Sequence, residues 1–306
     1  RDEVHEIYAE WRTVFNAYDP PRIAVAEAWV PAHRRARYAS AHGLGQAFNF
    51  DLLEADFDAL RFREIITLNL ELAADSGSST TWVFSNHDVV RHATRYGLPP
   101  RGDNPTKQGR EWLLTYGAEP KLDRGLGLRR ARAATMLVLA LPGSTYLYQG
   151  EELGLHEVAD IPDDTRQDPT FFRSDGADVG RDGCRVPLPW TRQGASFGFG
   201  DGDAHLPQPC WFADHAVEVQ DGDPDSTLTL YRTALALRRE LQTEETMTWI
   251  ETDSEDVLAF RRPGGWVCVT NFGDSPVSLP DGEILLTSTP LNNGQLPGAA
   301  SAWLHP

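Results

Sequence analysis

The 306-residue chain carries 45 Asp and Glu against 28 Lys and Arg, a formal net charge of -17, with 41% hydrophobic residues. That composition gives a globular core large enough for one large domain and a smaller one, and it excludes nucleic acid and anionic membrane surfaces, which are held by basic patches. Cys184, Cys210 and Cys268 are widely spaced without a CxxC, and no apolar run approaches the roughly 18 residues of a membrane span. No disulfide framework, zinc site or cofactor is indicated, and a reducing cytoplasm fits best.

Residues 3–18 (EVHEIYAEWRTVFNAY) place Val4, Ile7, Tyr8, Trp11, Val14 and Phe15 at helical spacing. They predict a helix with one buried face, stopped by Asp19, Pro20 and Pro21. The sequence opens at Arg1, without a methionine and directly before this helix, so it is expected to be part of something longer. Residues 23–30 (IAVAEAWV) form a continuous apolar run, the pattern of a parallel strand covered on both faces. Glu27 interrupts it. An unpaired buried carboxylate costs several kcal/mol, so Glu27 should be paired with a buried arginine, protonated or facing a cavity.

Residues 45–53 predict a short strand, 60–74 a helix and 81–85 a strand ending in Asn86, His87 and Asp88. Such a tip is either an Asn/Asp turn or a place where a carboxylate and an imidazole share one cavity. Between residues 91 and 126 the chain is polar and punctuated by Pro and Gly, which predicts a long excursion with at most one short helix near 110–116; long loops are usually functional. Residues 128–141 predict an amphipathic helix and 145–148 a brief strand with Gln149, Gly150, Glu151 and Glu152 at its tip. Alternating strands and helices predict a parallel sheet with crossover helices.

Residues 154–225 combine Asp, Gly and Pro with many aromatics, including Phe171, Phe172, Trp190, Phe197, Phe199, Trp211 and Phe212. This is an ordered loop. Its aromatics, with Arg166, Arg181 and Arg185, either stack on sugar rings or pack on the domain. A helix over 226–241 follows, and short strands over 247–250, 257–262, 266–271 and 284–287 predict a small antiparallel β domain. The expected boundaries are 1–241, including the loop 154–225, and 242–306.

Four motifs, AEAWV at 26–30, VFSNHDVVRH at 83–92, LPGSTYLYQGEELGL at 141–155 and GRDGCRVPLPW at 180–190, resemble the α-amylase family of glycoside hydrolases, in its α-glucosidase and oligo-1,6-glucosidase branch. The similarity runs in order through nearly the whole chain. It implies an α/β fold, the second half of a (β/α)8 TIM barrel (strands five to eight) followed by a small antiparallel β domain. It also implies Glu27 as general acid/base, Asp88 as the carboxylate that favours the transition state, His87 beside it on the same sugar hydroxyls, and Arg181 reaching the outermost sugar. Ala26 stands where the family usually has glycine. The nucleophilic aspartate, the first four strands and the family's structural metal site would lie upstream of Arg1, which makes a missing N-terminal half the expected partner. An independent count agrees, since four strand–helix units are visible where a closed barrel needs eight.

The expected substrate is a small malto- or isomalto-oligosaccharide or disaccharide, cleaved with retention, with no metal. The 306 residues alone should be inactive. Alternatives are a non-catalytic sugar-binding or scaffold member of the fold, or an α-glucosyl-transferring relative of the sucrose or trehalose type. Glu27, Asp88 and Glu151 should share the C-terminal end of the sheet, and the inner face at Val25, Phe48, Val83 and Tyr146 should be apolar and open.

Overall fold

The computed structural model describes residues 2–100 and 105–306. Helix α1 (Val4–Phe15) has the predicted amphipathic pattern. It buries Tyr8 and Phe15 in part against Tyr38 and Leu44, yet Ile7, Trp11 and Val14 stay exposed. Strand β1 (Ala24–Ala26) pairs in parallel with β2 (Gly45–Ala47), and between them runs α2 (Ala32–Ala39). That helix escapes the sequence pattern because its arginines hide the apolar period. One of them, Arg35, is buried and donates to Asn49 Oδ1 and Asp51 Oδ2, each at 2.6 Å.

Helix α3 (Ala59–Ser76) is capped by Asp58, whose carboxylate accepts the Arg61 N–H, and ends at Gly77 with φ 62°. A left-handed residue there closes the last turn at no steric cost only for glycine. Strand β3 (Thr81–Val83) pairs in parallel with β4 (Ser144–Tyr146), and the crossover is α6 (Arg124–Ala140). Among the described residues no backbone ladder joins β2 to β3. Side chains bridge the gap instead: the Thr81 hydroxyl donates to Ala47 O (2.8 Å) and accepts from Asn49 N–H (2.9 Å). Gln46 donates to Ser144 Oγ at 2.8 Å and accepts from the Tyr146 hydroxyl at 2.5 Å.

The excursion after β3 is more structured than its composition predicts. It holds α4 (His92–Arg95) and α5 (Pro105–Leu113), while 101–104 lie outside the described residues. Val90, Leu98, Trp112 and Leu113 close a small core with Ala159 and Val179 from the next loop, so contacts distant in sequence supply the order. The loop after β4 packs on a core of its own, with Leu153, Leu155, Val158, Ile161, Val186, Leu206 and Phe212. It carries α7 (Pro169–Arg173), α8 (Phe212–His215) and α9 (Val217–Gln220).

Helix α10 (Thr227–Leu241) is capped by Ser226 and leads into a five-stranded antiparallel sheet: β5 (Thr248–Ile250), β6 (Val257–Arg261), β7 (Val267–Asn271), β8 (Glu283–Thr287) and β9 (Ala300–His305), in the order β5-β6-β7-β9-β8. The last strand was not anticipated. Its Trp303 donates to Met136 O at 3.1 Å, and Phe260, Trp266, Cys268 and Trp303 share one core with α3 and α6. No helix among the described residues is long and apolar enough to cross a membrane.

Candidate active site

The turn after β3 is held from beneath. Arg95 is buried, and its guanidinium donates to the carbonyls of Val90 (2.9 Å), Leu53 (2.5 Å) and Phe84 (2.5 Å). His92 N–H donates to Ser85 Oγ at 2.9 Å. Asn86 Oδ1 accepts from Asp88 N–H at 2.8 Å, an Asx turn that aims the Asp88 side chain outward. Asp88 Oδ1 then accepts from Arg181 Nη1 at 2.7 Å and Arg185 Nη2 at 3.0 Å. His87 Nε2 lies 3.5 Å from the same oxygen.

Arg181 is itself held by a fork. Its Nε and Nη2 donate to Asp168 at 2.6 and 3.2 Å, and its backbone N–H donates to Asp168 Oδ2 at 2.9 Å. Asp168 is buried and also caps α7 through Thr170 N–H. The Arg181 hydrogen bond keeps the Asp168 carboxyl well below the usual carboxylate range despite burial, and the pairing pushes Arg181 further up. Both groups are therefore permanently charged near neutrality.

Glu27 corrects the sequence expectation. The strand ends at Ala26, so Glu27 is not buried inside it but exposed one residue past its tip. Among the described residues it makes no hydrogen bond or ion pair. One carboxylate oxygen of Glu27, a ring nitrogen of His87 and a carboxylate oxygen of Asp88 nevertheless lie within 4.8 Å of one another. These donors could reach a common cation, but two guanidinium groups on Asp88 Oδ1 oppose further positive charge there. Three of the four predicted residues thus converge directly, and Arg181 joins them through Asp88.

Glu151 follows β4 but lies behind the site. It is buried, accepts from Tyr148 N–H at 3.2 Å, and burial pushes its carboxyl up to about 8. His92 Nδ1 is 3.9 Å away and is pushed well below its ordinary value by burial, so two neutral groups meet there. Glu157, raised to about 7 by burial, accepts Arg91 N–H at 2.9 Å. Of the loop aromatics, Phe197, Trp211 and Phe212 pack into the loop core, whereas Phe172, Trp190 and Phe199 are exposed. Beside Glu27, exposed Trp29 stacks on Phe50 with ring centroids 4.1 Å apart. A cavity of about 250 Å3 opens beside Asp88 and Arg181, walled by Val90, Arg110, Leu113 and Asp178.

Sequence reasoning named neither Asp168 nor the hold of Arg185 on Asp88. The spacing RxxxR in GRDGCR is a usable signal for the second, since two arginines around one short turn can meet the same carboxylate. Asp168 left no signal.

Residues 119–246 match the model of the alpha amylase catalytic domain. A probable alpha-glucosidase of Rhizobium meliloti is 35% identical over 158 residues, 52% of this chain and 24% of its own. The chain is similar to proteins of the α-amylase family. A salivary alpha-glucosidase of Anopheles gambiae is 26% identical across 99% of this chain and 46% of its own length. The solved alpha-glucosyl transfer enzyme XgtA superposes with a TM-score of 0.75 at 28% identity, covering 100% of this chain and 55% of that one. The chain thus spans about half or less of the lengths of these proteins. The likeness to XgtA takes in the parallel strands and the C-terminal antiparallel sheet.

Proposed function

We propose that this chain is the C-terminal part of a retaining α-glucosidase-type enzyme, contributing strands five to eight of a (β/α)8 barrel as β1 to β4. The observation that carries this reading is the convergence of Glu27, His87 and Asp88 within 4.8 Å at the tips of two strand pairs. Retaining glycosidases set an acid/base and a nucleophile about 5 to 5.5 Å apart. Glu27 makes no hydrogen bond or ion pair among the described residues, so its carboxyl is open to a leaving oxygen. Asp88, held by two guanidinium groups, is a fixed anion suited to an oxocarbenium-like charge. His87 and Arg181 orient sugar hydroxyls, and Trp29 offers a face for a sugar ring.

The nucleophile is assigned to the other half of the barrel, which the exposed apolar face of α1 at Ile7, Trp11 and Val14 would meet. A small α-glucoside, of the malto- or isomalto-type, is the proposed substrate. Transfer of the glucosyl unit to another sugar is a second reading, favoured by the likeness to the alpha-glucosyl transfer enzyme XgtA, which spans this whole chain. The test uses the complete protein. Glu27→Gln should lower turnover of maltose on the order of 10^3-fold, within the range of general acid catalysis, while formation of the glycosyl intermediate from an aryl α-glucoside with an excellent leaving group changes little. Equal losses on both would remove Glu27 from the acid role. The 306 residues alone should give no turnover, and activity of the pure piece would overturn the placement of the nucleophile.

A further inference from the structure

We infer that Arg185 is a positioning residue that orients Asp88, satisfying one carboxylate oxygen so that the other is presented to the sugar; this rests on the glycosidase reading above. Arg185 leaves the chain from a turn pinned on several sides. Asp182 Oδ2 accepts the backbone N–H groups of Gln167 (2.8 Å) and Asp168 (3.1 Å). The Cys184 carbonyl accepts from Arg91 Nη2 and from the Tyr148 hydroxyl, each at 2.9 Å. Gly183 lies so close to its surroundings that a Cβ would come within 2.3 Å of the Val158 carbonyl and 2.5 Å of Glu157 Oε1. A larger residue would force that turn apart.

From this fixed base one planar group grips two consecutive residues. Arg185 Nε donates to the His87 carbonyl at 2.8 Å, fixing the backbone, and Nη2 donates to Asp88 Oδ1 at 3.0 Å, fixing the side chain. Arg181 Nη1 adds a second donor to the same oxygen at 2.7 Å. Two guanidinium N–H groups meet the two lone pairs of Oδ1. Oδ2 receives no hydrogen bond among the described residues. The carboxylate is thereby turned so that Oδ2 is the oxygen left for a sugar hydroxyl or developing positive charge. Arg185 need not touch the sugar to do this.

The arginine fork is what makes the double grip possible, because a lysine at this position supplies one point charge and a glutamine one neutral donor. A displaced carboxylate loses transition-state stabilisation more than ground-state binding, so the effect should fall on kcat rather than KM.

The experiment uses the complete protein with Arg185→Gln, Arg185→Lys, Asp88→Asn and the double variants. Turnover is measured on an aryl α-glucoside, and the Kd of the cationic iminosugar 1-deoxynojirimycin is measured by calorimetry. Arg185→Gln should lower kcat on the order of 10^2-fold, the scale of a small misplacement, with KM changed by less than about 3-fold. Arg185→Lys should recover about a tenth of the wild-type rate, because it retains the charge and one contact. The iminosugar should bind about 10-fold more weakly to Arg185→Gln. In the Asp88→Asn background the same substitution should change Kd by less than about 2-fold, since the route through Asp88 is gone.

An unchanged kcat, or an equal loss of affinity with and without Asp88, overturns the inference. If Arg185→Gln does not fold, the lysine variant decides by the same cycle. A wild type that neither turns over the glucoside nor binds the iminosugar sinks the glycosidase reading, and this inference with it. An active wild type matched by its Arg185 variants sinks this inference alone.

Discussion

The tips of β1 and β3 carry one carboxylate each, and they treat it in opposite ways. Asp88 sits on a turn locked by Arg95 and Asn86 and is clamped by Arg181 and Arg185. Glu27 stands one residue beyond a three-residue strand, exposed and without a hydrogen-bond or ion-pair partner among the described residues. A carboxylate gripped by two guanidinium groups is held in one orientation, whereas one without a hydrogen bond or ion pair is free to turn. Two acidic residues a few ångströms apart are therefore constrained differently, and on the proposed reading the held one serves as the charge and the free one as the acid/base.

The largest effect that would break this contrast is kinetic. Asp88→Asn in the complete protein should lower kcat on the order of 10^3-fold for maltose and for activated aryl glucosides alike, because a fixed charge serves the transition state whatever the leaving group. Leaving-group-dependent loss at Asp88 would show that the two roles are reversed. The next test removes the footing of the clamped tip. Arg95→Met leaves three buried carbonyls without their donor, which should cost about 3 kcal/mol in urea unfolding, given 1 to 3 kcal/mol for each unsatisfied group. Glu27→Gln should change the same measurement by no more than about 0.5 kcal/mol.

A pH-dependent effect, modest at any one pH step, separates Glu151 from both tips. Its folded pKa of about 8 lies above the ordinary 4.5, so the folded state keeps a proton that the unfolded chain has lost. Its contribution is complete below the ordinary value and disappears as pH rises through about 8. Wild type should therefore lose stability relative to Glu151→Gln by about 1.4 kcal/mol per pH unit between pH 5 and 8. Parallel stability curves over that range would show that Glu151 is ionised in the fold. Glu157, raised to about 7, retains its own slope in both proteins.

How much of this was legible in the sequence depended on how local each signal is. Apolar runs marked β1 and β3; Glu27 stood out as the carboxylate interrupting the first run, and His87 and Asp88 as the polar tip of the second. Strand lengths were overestimated, because apolar residues past the tips, such as Trp29 and Phe50, stack on each other outside any ladder. The same misjudgement placed Glu27 in a buried strand. Helix α2 was hidden by Arg35, whose burial depends on Asn49 and Asp51 and on no nearby pattern. Strand β9 was hidden because ASAWLH shows no alternation of apolar and polar faces, and Trp303 is buried against α6. Asp168 could not be seen at all, since its task exists only once Arg181 is folded against it.

The gap between β2 and β3 has a mechanical consequence. Glu27 rides on the β1–β2 pair and Asp88 on the β3–β4 pair, and within this chain those pairs are fastened by Thr81 and Gln46 rather than by a run of peptide hydrogen bonds. A ladder is stiff because many bonds must yield together, whereas a seam of a few side-chain fasteners is compliant. The spacing of the two carboxylates is therefore set through side chains, the hydroxyl of Thr81 and the amide of Gln46 among them, and not through a shared ladder.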